Sequence, residues 1–180
     1  MLRRPSGLVN LSDVTHTESS RNAVNHPRPH SPMDGVVMAS MKLDSDTKDF
    51  VEALTSEGFS SQEKVEYLAN LKSAAGGEVL EFSTCNRVLY VGFSMNETEL
   101  VTAIENVTGV RGCPFQISTG MEVWRVLVKI CSGLDSFILG ELQVMGQFRD
   151  TVSWHKENEY ISHSNSCLLY TSDAADESTC

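Results

Sequence analysis

Apolar residues recur along this chain in two rhythms. Short continuous runs of strand length lie at residues 36–41, 79–82 and 88–91, and a shorter candidate strand follows at 115–118. Between them the spacing turns helical. Charged residues after the first run open a helical region. Within it Ser61 is placed to cap a helix striped by Val65, Tyr67, Leu68 and Leu71, and Gly76-Gly77 ends it. Asn96 caps a helix carrying Leu100, Val101, Ile104 and Val107, which Gly109 stops. From Met121 onward Val123, Trp124, Leu127, Val128 and Cys131 form another, so Cys131 belongs in the core. Residues 148–160 resume as a polar helix. The order strand, helices, strand, strand, helix, strand, helix predicts a two-layer α+β domain with an antiparallel or mixed sheet, of which the ferredoxin-like fold is the common case.

The ends of the chain break this pattern. Residues 1–33 hold Pro5, Pro27, Pro29 and Pro32 and no sustained apolar period, which predicts a disordered leader, either a targeting extension or an untranslated stretch before a start at Met33. The segment 167–180 reads as the translation of a transposon-end sequencing adapter, hence foreign to the domain. No apolar run approaches the roughly 18–20 residues of a transmembrane helix, which argues against a membrane partner. The five cysteines form no C-x-x-C pair, which points to a reducing compartment and away from structural zinc. The formal net charge is −10. The leader is weakly basic and the last residues carry only three acids, so the body holds nearly all of that charge. A surface this acidic is a poor match for nucleic-acid phosphates, and a nucleic-acid substrate would need another holder.

The chemistry gathers at Ser83-Thr84-Cys85-Asn86-Arg87, between two predicted strands. A thiol in a tight connection is accessible, and a guanidinium two residues on favours its reactive thiolate form. Arg87 offers a planar fork for a carboxylate, and the Thr84 hydroxyl, the Asn86 amide and the turn amides can orient a substrate or an oxyanion. A buried filler cysteine beside a solvated arginine would give the same pentapeptide. A second dense stretch, from Ser132 through Gln147, mixes small and polar residues into an apolar context. Its glycines are not in a phosphate-cradling arrangement, and no Walker loop or G-x-G-x-x-G turn occurs anywhere.

Together, the two stretches resemble the signatures of the glutamyl-tRNA reductase family. Ser83-Thr84-Cys85-Asn86-Arg87 is similar to its active-site motif, and Gly133-Leu134-Asp135-Ser136 with Leu139-Gly140-Glu141, Gln143 and Gly146-Gln147 to its second. The resemblance covers roughly residues 35–160. It implies a catalytic domain over 34–145 and the start of a long connecting helix over 146–166. It further implies that Cys85 attacks the ester carbonyl of glutamyl-tRNA(Glu) to give a thioester, which hydride from NADPH releases as glutamate-1-semialdehyde for tetrapyrrole biosynthesis. Arg87 would clamp the glutamate carboxylate, and Thr84, Asn86, Ser136, Glu141, Gln143 and Gln147 would line the site, with Leu142 among them. NADPH binding and homodimerisation would fall to regions beyond this sequence. The implied compartment is the cytoplasm, or the plastid stroma if the leader is a transit peptide.

The chain departs from the family pattern at four places. The usual histidine before the second motif is Val126, the first strand carries no histidine, the acid after the Cys-Asn-Arg triplet is Leu89, and the proline of the second motif is Leu142. These changes leave open a non-catalytic glutamyl-tRNA-binding or regulatory protein. A cysteine hydrolase would have to draw its base from His155 or His163, or from the leader.

Overall fold

The computed structural model describes residues 33–135 and 143–170. In chain order the elements are β1 (Val36–Lys42), α1 (Lys48–Leu54), α2 (Ser61–Ala75), β2 (Val79–Thr84), β3 (Arg87–Phe93), α3 (Glu97–Thr108), β4 (Gln116–Thr119), α4 (Met121–Cys131), α5 (Gln143–Glu157) and α6 (His163–Tyr170). Residues 1–32 and the residues from 171 onward lie outside the described part. So do Ser136, Glu141 and Leu142. Met33, read as the end of the leader, is instead buried in the core.

The four strands form one sheet in the order β2-β3-β1-β4 with every neighbouring pair antiparallel. That is the split β-α-β arrangement of the ferredoxin-like fold, as the element order predicts. Local chemistry sets the helix ends. Ser60, one residue before the predicted cap, closes a reciprocal capping box with Glu63. Asn96 does the same with Glu99. Gly76 and Gly109 end α2 and α3 in the left-handed conformation, which a residue without a Cβ adopts without strain.

The sheet is covered on both faces, and here the structure goes beyond the two predicted layers. Val37, Ala39, Val88 and Tyr90 pack against Val51 and Leu54 of α1, Leu68 and Leu71 of α2, and Leu100 and Ile104 of α3. On the opposite face Val36, Met38, Phe82, Leu89 and Val91 meet Val123, Leu127 and Ile130 of α4, Phe148 and Val152 of α5, and Leu169 of α6. The reason lies in the strands. All seven positions of β3 and the first four of β1 and of β2 are buried. Continuous apolar runs of this kind mark strands buried on both faces, whereas a half-solvated sheet would alternate. Cys131 takes its predicted place in this second core.

The segment after α4 also differs from expectation. α5 starts at Gln143 and stops at Glu157; the chain then turns, burying Tyr160 and Ile161, and enters α6. A long connecting helix therefore does not run through 146–166. An apolar stripe of Phe148 and Val152 holds α5 against β2, with the Phe82 and Phe148 rings edge to face at 5.3 Å. α6 takes in residues 167–170 as well, and Leu169 is 3% exposed. This part of the segment read as foreign thus contributes to the core.

Candidate active site

β2 and β3 join through a two-residue turn. Thr84 pairs with Arg87, leaving Cys85 and Asn86 as the connection. The turn is fastened twice: the Asn86 N–H donates to Thr84 Oγ1 at 3.3 Å, and the Asn86 carbonyl accepts from the Leu43 N–H at 2.8 Å. The second bond carries the β1–β3 ladder one step beyond the Lys42–Arg87 pair. Cys85 is exposed on this braced turn, while Thr84 and Asn86 are half-buried beside it. The other free thiols differ. Burial pushes Cys131 up to about 11, and burial followed by the Glu105 charge raises Cys113. Of these three thiols, Cys85 is the one that solvent reaches freely.

Arg87 points along the face covered by α4. Its Nη1 donates to Asp135 Oδ2 at 2.9 Å and its Nη2 to the Asp135 carbonyl at 2.8 Å. Lys42 Nζ donates to the same carbonyl at 2.9 Å and to Oδ1 at 3.3 Å. Partial burial works against the Asp135 carboxylate, but the Arg87 hydrogen bond and charge, then those of Lys42, outweigh it and hold its pKa below the usual carboxylate range. Asp135 follows the last turn of α4, so this cluster ties the start of the second signature to the hairpin of the first. The fork expected to clamp a substrate carboxylate holds a carboxylate of the chain itself.

The other face of the hairpin is polar and buried. Glu81 is fully buried, accepting hydrogen bonds from Ser56 Oγ at 2.8 Å and from Ser83 Oγ. Burial raises its pKa above the usual value despite those serines, which favours the neutral acid. Tyr90, its cross-strand partner, donates to the Leu54 carbonyl at 2.9 Å and accepts from Tyr67. Behind the edge of β2, His155 Nε2 accepts the Glu81 N–H at 3.3 Å while its Nδ1–H donates to the Thr151 carbonyl at 2.9 Å. The backbone donor fixes that tautomer. Burial, assisted by the Lys64 charge, lowers the His155 pKa to about 4.

Of the other candidates, Gln143 and Gln147 stand one turn apart, exposed, at the start of the helix that seats Phe148 on Phe82. That puts them on the Arg87 side of the sheet. Val126 packs against the α4-side core, and Leu89 is wholly buried there, so both are apolar packing residues. Lys42, Asp135 and Glu81 were not among the predicted site residues. The register that sets Lys42 opposite Arg87 is a property of the folded sheet, which no local pattern reveals. Among the described residues no group of His, Cys, Asp and Glu is arranged to hold a metal, and no helix is long and apolar enough to cross a membrane. A surface groove of about 310 Å³ between α3 and β4, lined by Glu97, Thr98, Val101, Thr102 and Ile117, offers an anion no basic partner. It does not fit the phosphates of NADPH.

Comparison with known proteins decides the family. Residues 46–172 match the model described as glutamyl-tRNAGlu reductase, N-terminal domain. The chain belongs to the glutamyl-tRNA reductase N-terminal-domain family. Curated glutamyl-tRNA reductases similar to it include that of Shewanella oneidensis, 36% identical over 86 residues (45% of this chain, 20% of the relative), and that of Macrococcus caseolyticus, 31% identical over 131 residues (64% and 27%). The one from Ignicoccus hospitalis is 27% identical over 135 residues (72% and 30%). The solved glutamyl-tRNA reductase of Methanopyrus kandleri shares the fold, with a TM-score of 0.56 and 18% identity over 78% of this chain and 33% of that one. The chain thus spans about a third or less of the length of these glutamyl-tRNA reductases.

Proposed function

We propose that this chain is the substrate-activating part of a glutamyl-tRNA reductase, with Cys85 as its nucleophile. The observation that carries this reading is the exposed thiol on a turn braced from both sides, beside the Lys42–Arg87–Asp135 cluster. The Cys85 thiolate attacks the ester carbonyl of glutamyl-tRNA(Glu). A carbon–sulfur bond forms, the ester carbon–oxygen bond breaks, and the leaving alkoxide of the tRNA takes a proton from water, which restores its terminal hydroxyl. Thr84 and Asn86 line the approach, joined by Gln143 and Gln147; Ser136, Glu141 and Leu142 belong to the same reading by their place in the second signature and lie outside the described residues. Arg87 acts through Asp135, fixing the second signature against the hairpin. Reduction of the thioester to glutamate-1-semialdehyde requires hydride from NADPH. No step of it is assigned to the described residues. Assembly as a homodimer and a place in tetrapyrrole biosynthesis, in cytoplasm or plastid stroma, belong to the same reading.

In the absence of reduction, the thioester is lost to water, so the chain accelerates deacylation of glutamyl-tRNA. The test compares deacylation by the wild-type chain and by Cys85→Ser. A rate that falls to the spontaneous level in the variant supports the nucleophile; equal rates overturn it. Val126, which supplies no imidazole in α4, favours a second reading, a glutamyl-tRNA-binding protein without turnover. In that case the two proteins bind charged tRNA equally and neither deacylates it.

A further inference from the structure

β2 is an edge strand in the sheet order β2-β3-β1-β4, so the strand that leads into the Cys85 turn pairs with β3 alone. Side chains tie its end to the loop after α1. Ser56 in that loop gives its Oγ–H to Glu81 Oε2 at 2.8 Å and its N–H to Ser83 Oγ at 3.4 Å, and the Ser83 hydroxyl donates to Glu81 Oε1. These bonds close a ring. Glu81 is 0% exposed and Ser56 5%, so water does not compete for it. Both carboxyl oxygens are taken by serines, and Lys64 acts on the group only through its charge.

Such a ring is a poor source of stability, because apolar side chains of the same shape in place of a buried polar group and its partners leave a fold about as stable or more so. What a fully satisfied buried network contributes is one geometry. The ring is well placed to do so. Ser83 is the first residue of the pentapeptide that presents Cys85, and Thr84 after it already pairs with Arg87 across the turn. The ring therefore sets the incoming side of the turn against α1, while the Leu43–Asn86 bond sets its outgoing side against β1.

We propose that Glu81 is a positioning residue for the reaction at Cys85, acting through Ser83 to fix the strand that carries the thiol to the acyl carbonyl. This rests on the reading of Cys85 as the nucleophile. In this role the carboxyl exchanges no proton with the substrate.

The test separates rate from stability in the full chain. A triple variant, Ser56→Ala with Glu81→Met and Ser83→Ala, replaces the whole ring by apolar side chains and orphans no hydroxyl. It is expected to melt at or above the wild-type temperature, yet to form the Cys85 thioester from glutamyl-tRNA(Glu) roughly ten- to a hundredfold more slowly at saturating tRNA, with KM little changed. Ser83→Ala alone cuts the same link with a smaller change to the core, and it should be slow as well. Glu81→Gln keeps the shape and the serine partners and should keep the wild-type rate. A loss in Glu81→Gln as deep as that in Ser83→Ala would make the carboxyl a proton donor and overturn the proposal. Rates that simply follow melting temperature across the series overturn it too, as does a Ser83→Ala variant as fast as wild type. Hydrogen exchange of the Leu43 amide, bonded to the turn at the Asn86 carbonyl, reads the same hold without any tRNA. It should quicken in Ser83→Ala and in the triple variant; unchanged exchange overturns the proposal. If exchange quickens but the wild type forms no thioester, the hold of Glu81 on the turn is upheld and the nucleophile reading falls.

Discussion

The two faces of the β2–β3 hairpin meet the same problem with opposite chemistry. On the α4 face Arg87, Lys42 and Asp135 are ionic, and two of the three side chains keep more than 40% of their surface in solvent. On the α1–α2 face Glu81 is wholly buried, with its pKa raised by that burial, and behind it His155 is buried with its pKa lowered to about 4. Solvent access makes the difference. A charge that keeps some water and a partner holds its ionised form, whereas a group taken fully out of water gives up its charge to avoid the desolvation penalty. The hairpin that carries Cys85 thus stands between an ion-rich side and a buried polar side that ties it to α1 and α5.

The largest expected effect breaks the neutral side with acid. His155 titrates near 4 folded and near 6.5 unfolded. Between those values the unfolded chain binds more protons, so this residue makes stability fall as pH drops from about 6.5 toward 4. The loss reaches on the order of 3 kcal/mol. Denaturant unfolding of wild type and His155→Gln across this window should show the wild-type advantage shrinking by that order; a constant difference would contradict a neutral buried imidazole.

Next in size is the ionic side. Asp135→Ala leaves a nearly buried guanidinium without its carboxylate, an effect of about 1–3 kcal/mol after discounting for the solvent around Asp135. The Asp135 contribution is present above the unfolded carboxylate pKa and is lost as pH falls through the lowered folded value. The difference from wild type should therefore persist at neutral pH and fade in strong acid. Urea titrations at neutral and acid pH check both parts.

A smaller effect sharpens the contrast. Since the folded pKa of Glu81 is raised, its carboxyl disfavours folding increasingly as pH climbs above the ordinary carboxylate range. Glu81→Gln keeps the shape and the serine partners and should gain stability over wild type, by about 1 kcal/mol or more, with the gain growing as pH rises above the ordinary carboxylate range and levelling off once the raised folded pKa is passed. Thermal melts of the two proteins at several pH values test it. A gain that does not vary with pH would mean that Glu81 is already ionised.

The element order, the cap at Asn96, the cap at Ser61 apart from one residue of offset, and the core position of Cys131 were legible in the sequence because each rests on local chemistry and helical spacing. The third layer was legible but unread. Val36 to Ala39 and Val88 to Val91 are continuous apolar runs, and a strand solvated on one face would alternate. α5 concealed its burial better, since Phe148, Val152 and His155 form a narrow stripe on an otherwise polar helix. In the site, Thr84, Cys85, Asn86 and Arg87 were legible as a motif, and the structure brings them together at one turn. The bond of Arg87 to Asp135 spans 48 positions and that of Lys42 to Asp135 spans 93. Such partners are set by sheet register and by the end of α4, and neither is written in a local window.

The most direct test of the central claim is acid quenching of the full chain with glutamyl-tRNA(Glu), followed by mass spectrometry of the Cys85 peptide. A glutamyl adduct on Cys85, absent from Cys85→Ser, is the expected result. An unmodified Cys85 peptide under conditions where the charged tRNA is bound would contradict it.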